Sequence, residues 1–535
     1  MKRPSPAATL TLSEAAQMSP QQVVDLAGTL TNRIDTLANE LDWLKRQIFG
    51  QKSERRLIDN PAQMALDAML IDPAKIASLP ASSQVVPAHV RSKPRTDAAQ
   101  SESVPFFDES RVPMYTVVVT TPRMDALAPD AYEHIGDKES FRVAQQPASF
   151  VVIKYVRPVY KQRDTGELLC APAPSGVLEG SRADVSFCAG LLVNKFRYHL
   201  PFYRQHQQLG DAGITVSRPW LNQLSQQICA LLYPIYEAQL TSIRDSRVIA
   251  MDETPIKAGQ AGKGKMKTGY FWPVYGDKDE VCFPFATTRA HTVVAQTLGL
   301  HQRDNAVLVS DGYAAYARYA QQTGVTHAQC WAHCRREFFD AQSSDPEGTA
   351  QALELIGALY EIEQDIRDRN LAAEDKQNFR ATHSKPRIEW FFDWVEQQRR
   401  RPDLLPSNPF TKALSYAWER RVALSVYLTD PDVPIDTNHL ERSLRPIPMG
   451  RRNWLFCWTE LGAKHVGIVQ SLIVTCQLHG IDPYTYLVDV LQRVGQHPAS
   501  RVHELTPRLW KQHFADAPLR SILYTLQREG GKYVR

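Results

Sequence analysis

The chain has 535 residues, 43% apolar and 22% charged, with a formal net charge of +4. That length exceeds one ordinary core, so several domains are expected, while no apolar run approaches a membrane span and the N-terminus lacks the apolar core of a signal peptide. The eight cysteines are scattered with no C-x-x-C pair, which fits a reducing compartment and argues against a disulfide scaffold.

The first organised segment, 1–58, reads as a coiled coil. Val23, Leu30, Leu37 and Leu44 recur every seven residues, and Ala27, Ile34, Leu41 and Ile48 form the second seam. Self-association is expected, ahead of packing on the same chain. The basic residues Lys45, Arg46, Lys52, Arg55 and Arg56 follow, and suit either a phosphate backbone or a solvated face. Residues 59–113 are interrupted by prolines from Pro61 to Pro113, with Ala and Ser between them. They read as a linker that cannot bury enough apolar surface to order itself.

Residues 114–180 predict a small β module, from β-branched and aromatic runs at Met114–Thr120 and Phe150–Tyr160. Residues 181–241 turn helical, with Ser217 as an N-cap and Pro219 behind it. Interleaved Arg197, His199, Arg204 and His206 with Phe196, Tyr198, Phe202 and Tyr203 suit DNA contact or a packed helical face with a polar rim.

The next domain, 242–480, is organised around Val248–Met251. This short apolar run has the pattern of a strand buried on both faces, and it ends at Asp252. Ala306–Ser310 repeats the pattern and ends at Asp311. Each Asp alone is most simply a turn former. The pair, with a third acid downstream, predicts carboxylates gathered at one sheet edge. Between them, Gly259–Gly269 nearly matches a phosphate-binding loop. Met266 replaces the hydroxyl residue and a strand follows, so a hairpin carrying Lys257, Lys263, Lys265 and Lys267 is predicted instead. The order is strand, hairpin, strand, strand, helix, strand. His327, Cys330, His333 and Cys334 match no standard zinc spacing; Cys330 reads as core, and His333 and Arg336 as able to face a phosphate. A helical insertion covers about 346–430. Beyond it, Glu441 sits among Arg442, Arg445, Arg451 and Arg452. Asn438 and Glu441 also have the spacing of a capping box. Residues 481–535 read as a helical tail.

Several motifs in one order carry a family resemblance: L-K-R-Q-I-F-G-Q-K-S-E-R-R (44–56), K-F-R-Y-H-L-P-F-Y-R (195–204), M-D-E-T-P (251–255), S-D-G-Y (310–313), C-W-A-H-C-R-R-E-F-F (330–339), N-H-L-E-R-S-L-R-P (438–446) and G-R-R-N-W-L-F (450–456). On these the chain resembles the DDE transposases of insertion-sequence family 66. The resemblance implies an α/β fold with a ribonuclease-H-like catalytic core, and Asp252, Asp311 and Glu441 as catalytic metal ligands. It implies two divalent cations, Mg2+ or Mn2+, and double-stranded DNA as partner. A homo-oligomer, small accessory proteins of the same element, no membrane, and a bacterial cytoplasmic, nucleoid-associated location are expected. The family's zinc module uses two Cys pairs, whereas between 112 and 175 this chain has only Cys170. Zinc is therefore not expected, and the β module either folds without metal or is degenerate. A DNA-binding regulator that has lost transposition, or a nuclease without strand transfer, are the alternatives.

Overall fold

The structure, a computed structural model, describes residues 106–120, 132–146, 149–262, 265–300, 305–453, 457, 459–528 and 532–534. All of them belong to one unit, Ser82–Arg535. The expected heptad helix with its basic end, most of the expected linker, and Lys263 lie outside the described residues.

The β module opens with β1 (Met114–Val118), β2 (Tyr132–Gln146), β3 (Ser149–Gln162) and β4 (Leu168–Cys170). Strands β2 and β3 pair antiparallel, and β1 runs parallel to β3. The run Val151–Ile153 is buried throughout, because both faces of β3 are covered. Val152 joins the main core, while Val151 and Ile153 join a second cluster with Leu523 and Leu526.

Three helices follow: α1 (Val185–Phe196), α2 (Phe202–Asp211) and α3 (Arg218–Arg244). Helix α3 starts where its sequence predicts, with the Ser217 hydroxyl accepting from the Trp220 amide at 3.3 Å. Its apolar stripe (Leu221, Leu224, Ile228, Leu232) is buried in the same core as the central sheet, so 181–241 is not a separate helical body. Gln239 makes the junction: its amide donates to Val281 O (2.8 Å) and Thr475 Oγ1 (2.9 Å). Tyr198 and Tyr203 stay exposed, with Arg218 over the Tyr203 ring.

The central sheet is built from β5 (Val248–Met251), β8 (Val274–Gly276), β9 (Val281–Cys282), β11 (Val307–Ser310) and β12 (Thr326–Gln329). Its order is β12-β11-β5-β8-β9, with β5, β11 and β12 parallel and β8 and β9 folded back antiparallel. Every residue of β5 and β11 is buried, which is why both read as continuous apolar runs. A separate three-stranded sheet holds the predicted hairpin, β6 (Thr254–Gly262) and β7 (Lys265–Phe271), with β10 (Phe285–Ala286). Helices α4 (Thr292–Leu298), α5 (Ala314–Thr323) and α6 (Trp331–Asp340) connect and follow the later strands.

The insertion is helical: α7 (Pro346–Asp368), α8 (Ala373–Phe379), a π turn at Arg380–Ser384, α9 (Lys385–Arg399), α10 (Pro409–Glu419) and α11 (Arg421–Ser425). Edge-to-face rings of Trp331, Phe338, Phe391 and Phe410 tie it to α6. The chain returns through α12 (Asn438–Leu444), α13 (Pro446–Asn453) and α14 (Glu460–Leu478). Helix α14 lies against the chain after β9 at Gly467, where a Cβ would sit 2.3 Å from the Phe283 carbonyl oxygen. Helices α15 (Pro483–Arg493), α16 (Pro507–His513) and α17 (Ile522–Arg528) complete the helices. The tail is not helical to its end, however. A last strand, β13 (Lys532–Val534), pairs parallel with β1. No described helix is long and apolar enough to cross a membrane.

Candidate metal and phosphate site

The pairing of β5 with β11 sets the site. Val248 faces Val307, Ile249 faces Leu308 and Ala250 faces Val309. Continuing that register two residues brings Asp252 beside Asp311 at the shared C-terminal edge. Adjacent strands lie about 4.8 Å apart, and the charge of Asp311 is felt at Asp252. Each turn is fixed by its own acid: Asp252 Oδ1 accepts from the Glu253 amide at 2.7 Å, and Asp311 Oδ1 from the Tyr313 amide at 2.9 Å. Gly312 is required by close approach, since a Cβ there would meet Tyr416 and Arg420 of the insertion at 2.8 Å.

Glu441 arrives from the far side of the insertion. The Cys330 sulfur, at the start of α6, accepts from both the backbone amide and the hydroxyl of Thr437, each at 3.3 Å. The Trp331 amide donates to Ile435 O at 3.1 Å. Helix α12 is thereby held against α6, and His333 Nε2 lies 3.7 Å from Glu441 Oε1. One donor atom each from Asp252, His333 and Glu441 fall within 4.8 Å of one another. The alternative role of Asn438 and Glu441 as a capping box is not taken up: Thr437 is the N-cap residue, and the Asn438 amides bond to Asp436 instead.

A cavity of about 390 Å³ holds the group. Asp252, Glu253, Asp311 and Glu441 line it, with Arg289, His333, Arg336 and Arg445 opposite in charge. All three predicted acids line this cavity, although Asp311 is not in the close Asp252–His333–Glu441 cluster, and of the predicted phosphate contacts His333, Arg336 and Arg445 line the same cavity. Arg442, Arg451 and Arg452 do not line it; Arg451 reaches the Pro255 carbonyl. Lys267 lies 3.6 Å from Glu460, and Lys265 is exposed on the hairpin. His327, Cys330, His333 and Cys334 do not converge: His327 bonds Ser310 Oγ at 2.8 Å, Cys330 holds Thr437, Cys334 is core, and His333 alone enters the cavity. Sequence reasoning passed over Glu253 and Arg289, which find each other only through the fold.

Burial pushes Asp252 up to about 6, against the pull of the Glu253 amide and His333, and Asp311 and Glu253 add to the rise. Burial opposes charge on His333, yet the Cys330 sulfur, Asp252 and Asp311 outweigh it and hold the imidazole up to about 9. Asp252 therefore binds its proton more tightly in the folded chain than its ordinary 3.8. Its stabilising contribution is full below 3.8 and is lost as pH rises through about 6. That of His333 is full below 6.5 and lost only toward about 9, outside this window. In chelated protein, Asp252→Asn should thus gain stability relative to wild type as pH rises from 4 to 6, by at most ~3 kcal/mol, and level off above. Mg2+ should reverse the order by stabilising wild type alone. Thermal melts across that range, with chelator and with Mg2+, measure both effects; a pH-independent difference would contradict the assigned protonation.

Hard carboxylate oxygens and one imidazole around a water-accessible cavity form a donor set for a divalent cation such as Mg2+ or Mn2+, and the basic side chains beside it suit a phosphate. The fold and site therefore define an α/β protein with a candidate cation site bordered by basic side chains. Comparison with known proteins makes this particular. Residues 180–465 match the "Transposase IS66 family" model, residues 471–508 the "IS66 C-terminal element", and residues 36–104 the "Transposase C of IS166 homeodomain". The chain belongs to the IS66 transposase family. The last match runs through residues that composition assigns to a linker. The chain is also similar to two proteins of Sinorhizobium fredii. It is 29% identical over 515 residues to uncharacterized protein y4jD, covering 92% of this chain and 97% of that one. It is 27% identical over 511 residues to uncharacterized protein y4hP, covering 90% and 89%.

Proposed function

We propose that this protein is a DDE transposase that cuts and joins the ends of its insertion sequence. The observation that carries the reading is the meeting of Asp252, Asp311 and Glu441, far apart in sequence, in one cavity rimmed by bases. The strand order, with a hairpin folded back on one side of β5 and parallel strands on the other, supports reading the core as ribonuclease-H-like with a helical insertion.

In this reading Asp252, Glu441 and Asp311 would hold two divalent cations, Mg2+ or Mn2+, and His333 would join Asp252 and Glu441 as a donor on giving up its proton. When bound, the cations would activate the attacking hydroxyl and stabilise the leaving oxygen. Hydrolysis and strand transfer are then one displacement with two nucleophiles, water and a DNA 3′-hydroxyl. Arg336 and Arg445 give the scissile strand its counter-charge. The hairpin lysines, Arg442, Arg451, Arg452 and the exposed Tyr198–Tyr203–Arg218 surface extend that contact along double-stranded DNA. The activity belongs to the bacterial cytoplasm at the nucleoid.

The test is a strand-transfer assay on labelled duplexes carrying the element's ends. Joined products in Mg2+ support the reading. Cleavage without joining would reduce it to a nuclease, and binding without cleavage to a regulator. The heptads at 23–48 are proposed to assemble the protein on paired ends. Deleting residues 1–56 should lower the mass seen in sedimentation, and an unchanged mass would remove that role.

A further inference from the structure

We infer that Arg289 is a substrate-contacting residue of this site: it receives the phosphate of the strand being cut, and Glu253 and Tyr313 hold it in place. The inference rests on the reading of the cavity as a phosphodiester-cutting site and names a residue that reading does not include.

Three of the four bases around the cavity differ from Arg289 in how they are held. The Arg336 and Arg445 side chains make no hydrogen bond or ion pair among the described residues, and His333 pairs with Glu441. Arg289 is fixed on several sides. Its Nε donates to Glu253 Oε1 at 2.8 Å, and Nη2 donates to the same oxygen. Its guanidinium lies 4.4 Å from the centre of the Tyr313 ring. The Tyr313 hydroxyl donates to the Arg289 carbonyl at 2.6 Å, so the ring clamps both ends of the residue. Glu253 is itself anchored, with its side chain only 3% exposed and Oε2 accepting from the Tyr316 hydroxyl at 2.6 Å.

These partners belong to the two turns that carry the paired aspartates. Glu253 follows Asp252, and Tyr313 is the residue whose amide Asp311 holds. Arg289 therefore bridges the two turns at the cavity wall. Guanidinium has five N–H donors in a rigid fork. The bonds to Glu253 use Nε and one hydrogen of Nη2, and Nη1 has no acceptor among the described residues. An anion entering between the aspartate turns meets a guanidinium whose rotamer freedom is already lost. A preset donor of that kind favours the transition state over loose binding. The side chain keeps 48% exposure, enough for a phosphate oxygen to reach it. Glu253 balances its charge while the cavity holds no DNA, which explains a buried carboxylate beside two others.

The test uses the full chain with a labelled duplex carrying the element's end, comparing wild type, Arg289→Ala, Arg289→Lys, Glu253→Gln and Asp252→Asn, each checked by thermal melting. Arg289→Ala should cut at least about 100-fold more slowly at saturating DNA, and Arg289→Lys should recover part of the loss. The salt slope of DNA affinity should become shallower by about 0.9, the change for one phosphate no longer neutralised. Mn2+ affinity, followed by titration without DNA, should change less than about threefold. Glu253→Gln should lower kcat more than it raises KM for DNA; the reverse split would remove Glu253 as the group that presets Arg289. If Arg289→Ala and Arg289→Lys both cut within threefold of wild type with an unchanged salt slope while Asp252→Asn is inactive, the inference falls and the site reading stands. Loss of Mn2+ binding in Arg289→Ala also overturns it, by making Arg289 a brace for the aspartate turns. An active Asp252→Asn overturns the site reading itself.

Discussion

Asp252→Asn, Asp311→Asn and Glu441→Gln are each expected to lower cleavage and strand transfer by roughly 10³-fold or more, with folding and DNA binding retained. Each change keeps the side chain's shape and removes one negative charge. A cation-stabilised displacement draws several kcal/mol from that charge, and each 1.36 kcal/mol is tenfold in rate. The structural roles open to these residues are small by comparison. Glu441 is not a helix cap, and its ion-pair partner is His333 at 3.7 Å, a separation at which one amide substitution costs about 1 kcal/mol. Rates at saturating DNA, with melting temperatures alongside, separate the two outcomes. If Glu441→Gln melts lower yet still joins strands, the third ligand is another group, and Glu253 is the remaining carboxylate in the cavity.

Arg380→Met is expected to cost about 3–5 kcal/mol of stability. Arg380 is fully buried in the π turn of the insertion. It forms a two-pronged pair with Glu363, both bonds at 2.8 Å, and donates to the carbonyls of Tyr427 (2.7 Å) and Val433 (3.0 Å). Methionine fills a similar volume but leaves the Glu363 carboxylate buried without a partner and strips those carbonyls of their donor. The double variant Arg380→Met, Glu363→Gln should recover part of the loss, because the stranded charge is then gone. Urea denaturation reads both; an undiminished midpoint in Arg380→Met would refute the assignment. Activity should fall with stability. The 427–433 loop leads into the Glu441 helix, and its Asp430 pairs with Arg247 at 2.6 Å just ahead of β5.

What the sequence makes legible follows from what burial does to composition. Val248–Met251 and Val307–Ser310 stand out because strands covered on both faces must be apolar throughout, and a polar residue at their ends is then conspicuous. Ser217 and Pro219 mark the start of α3 by local chemistry alone. Three features were hidden. Asn438 and Glu441 have capping spacing, yet the N-cap falls one residue earlier, at Thr437, which Cys330 holds from 107 positions away. The pair Glu253–Arg289 has no local spacing to betray it. Strand β13 is three residues long, too short for any period, and its partner β1 lies at the other end of the described chain. The apolar stripe of α3 was legible, but a stripe states only that a face is covered. Whether the cover is DNA-binding architecture or the central sheet depends on long-range packing such as Gln239 with Thr475.

The route by which Glu441 reaches the cavity has a consequence for synthesis. The two aspartate turns lie on adjacent strands and are complete once residue 313 has emerged. The third acid is made only after the whole insertion, and its helix is seated by Cys330 and Trp331 on chain synthesised about a hundred residues earlier. Closing a loop of that size is a late event in folding, because the chain gives up its freedom before the stabilising interactions form. On the proposed reading, nascent or prematurely terminated chains that stop within the insertion would carry Asp252, Glu253 and Asp311 but lack Glu441. Such chains would lack the complete cation site that the proposed cleavage needs. On that reading the order of the chain would act as a safety catch, released only when the polypeptide has passed its insertion and folded back.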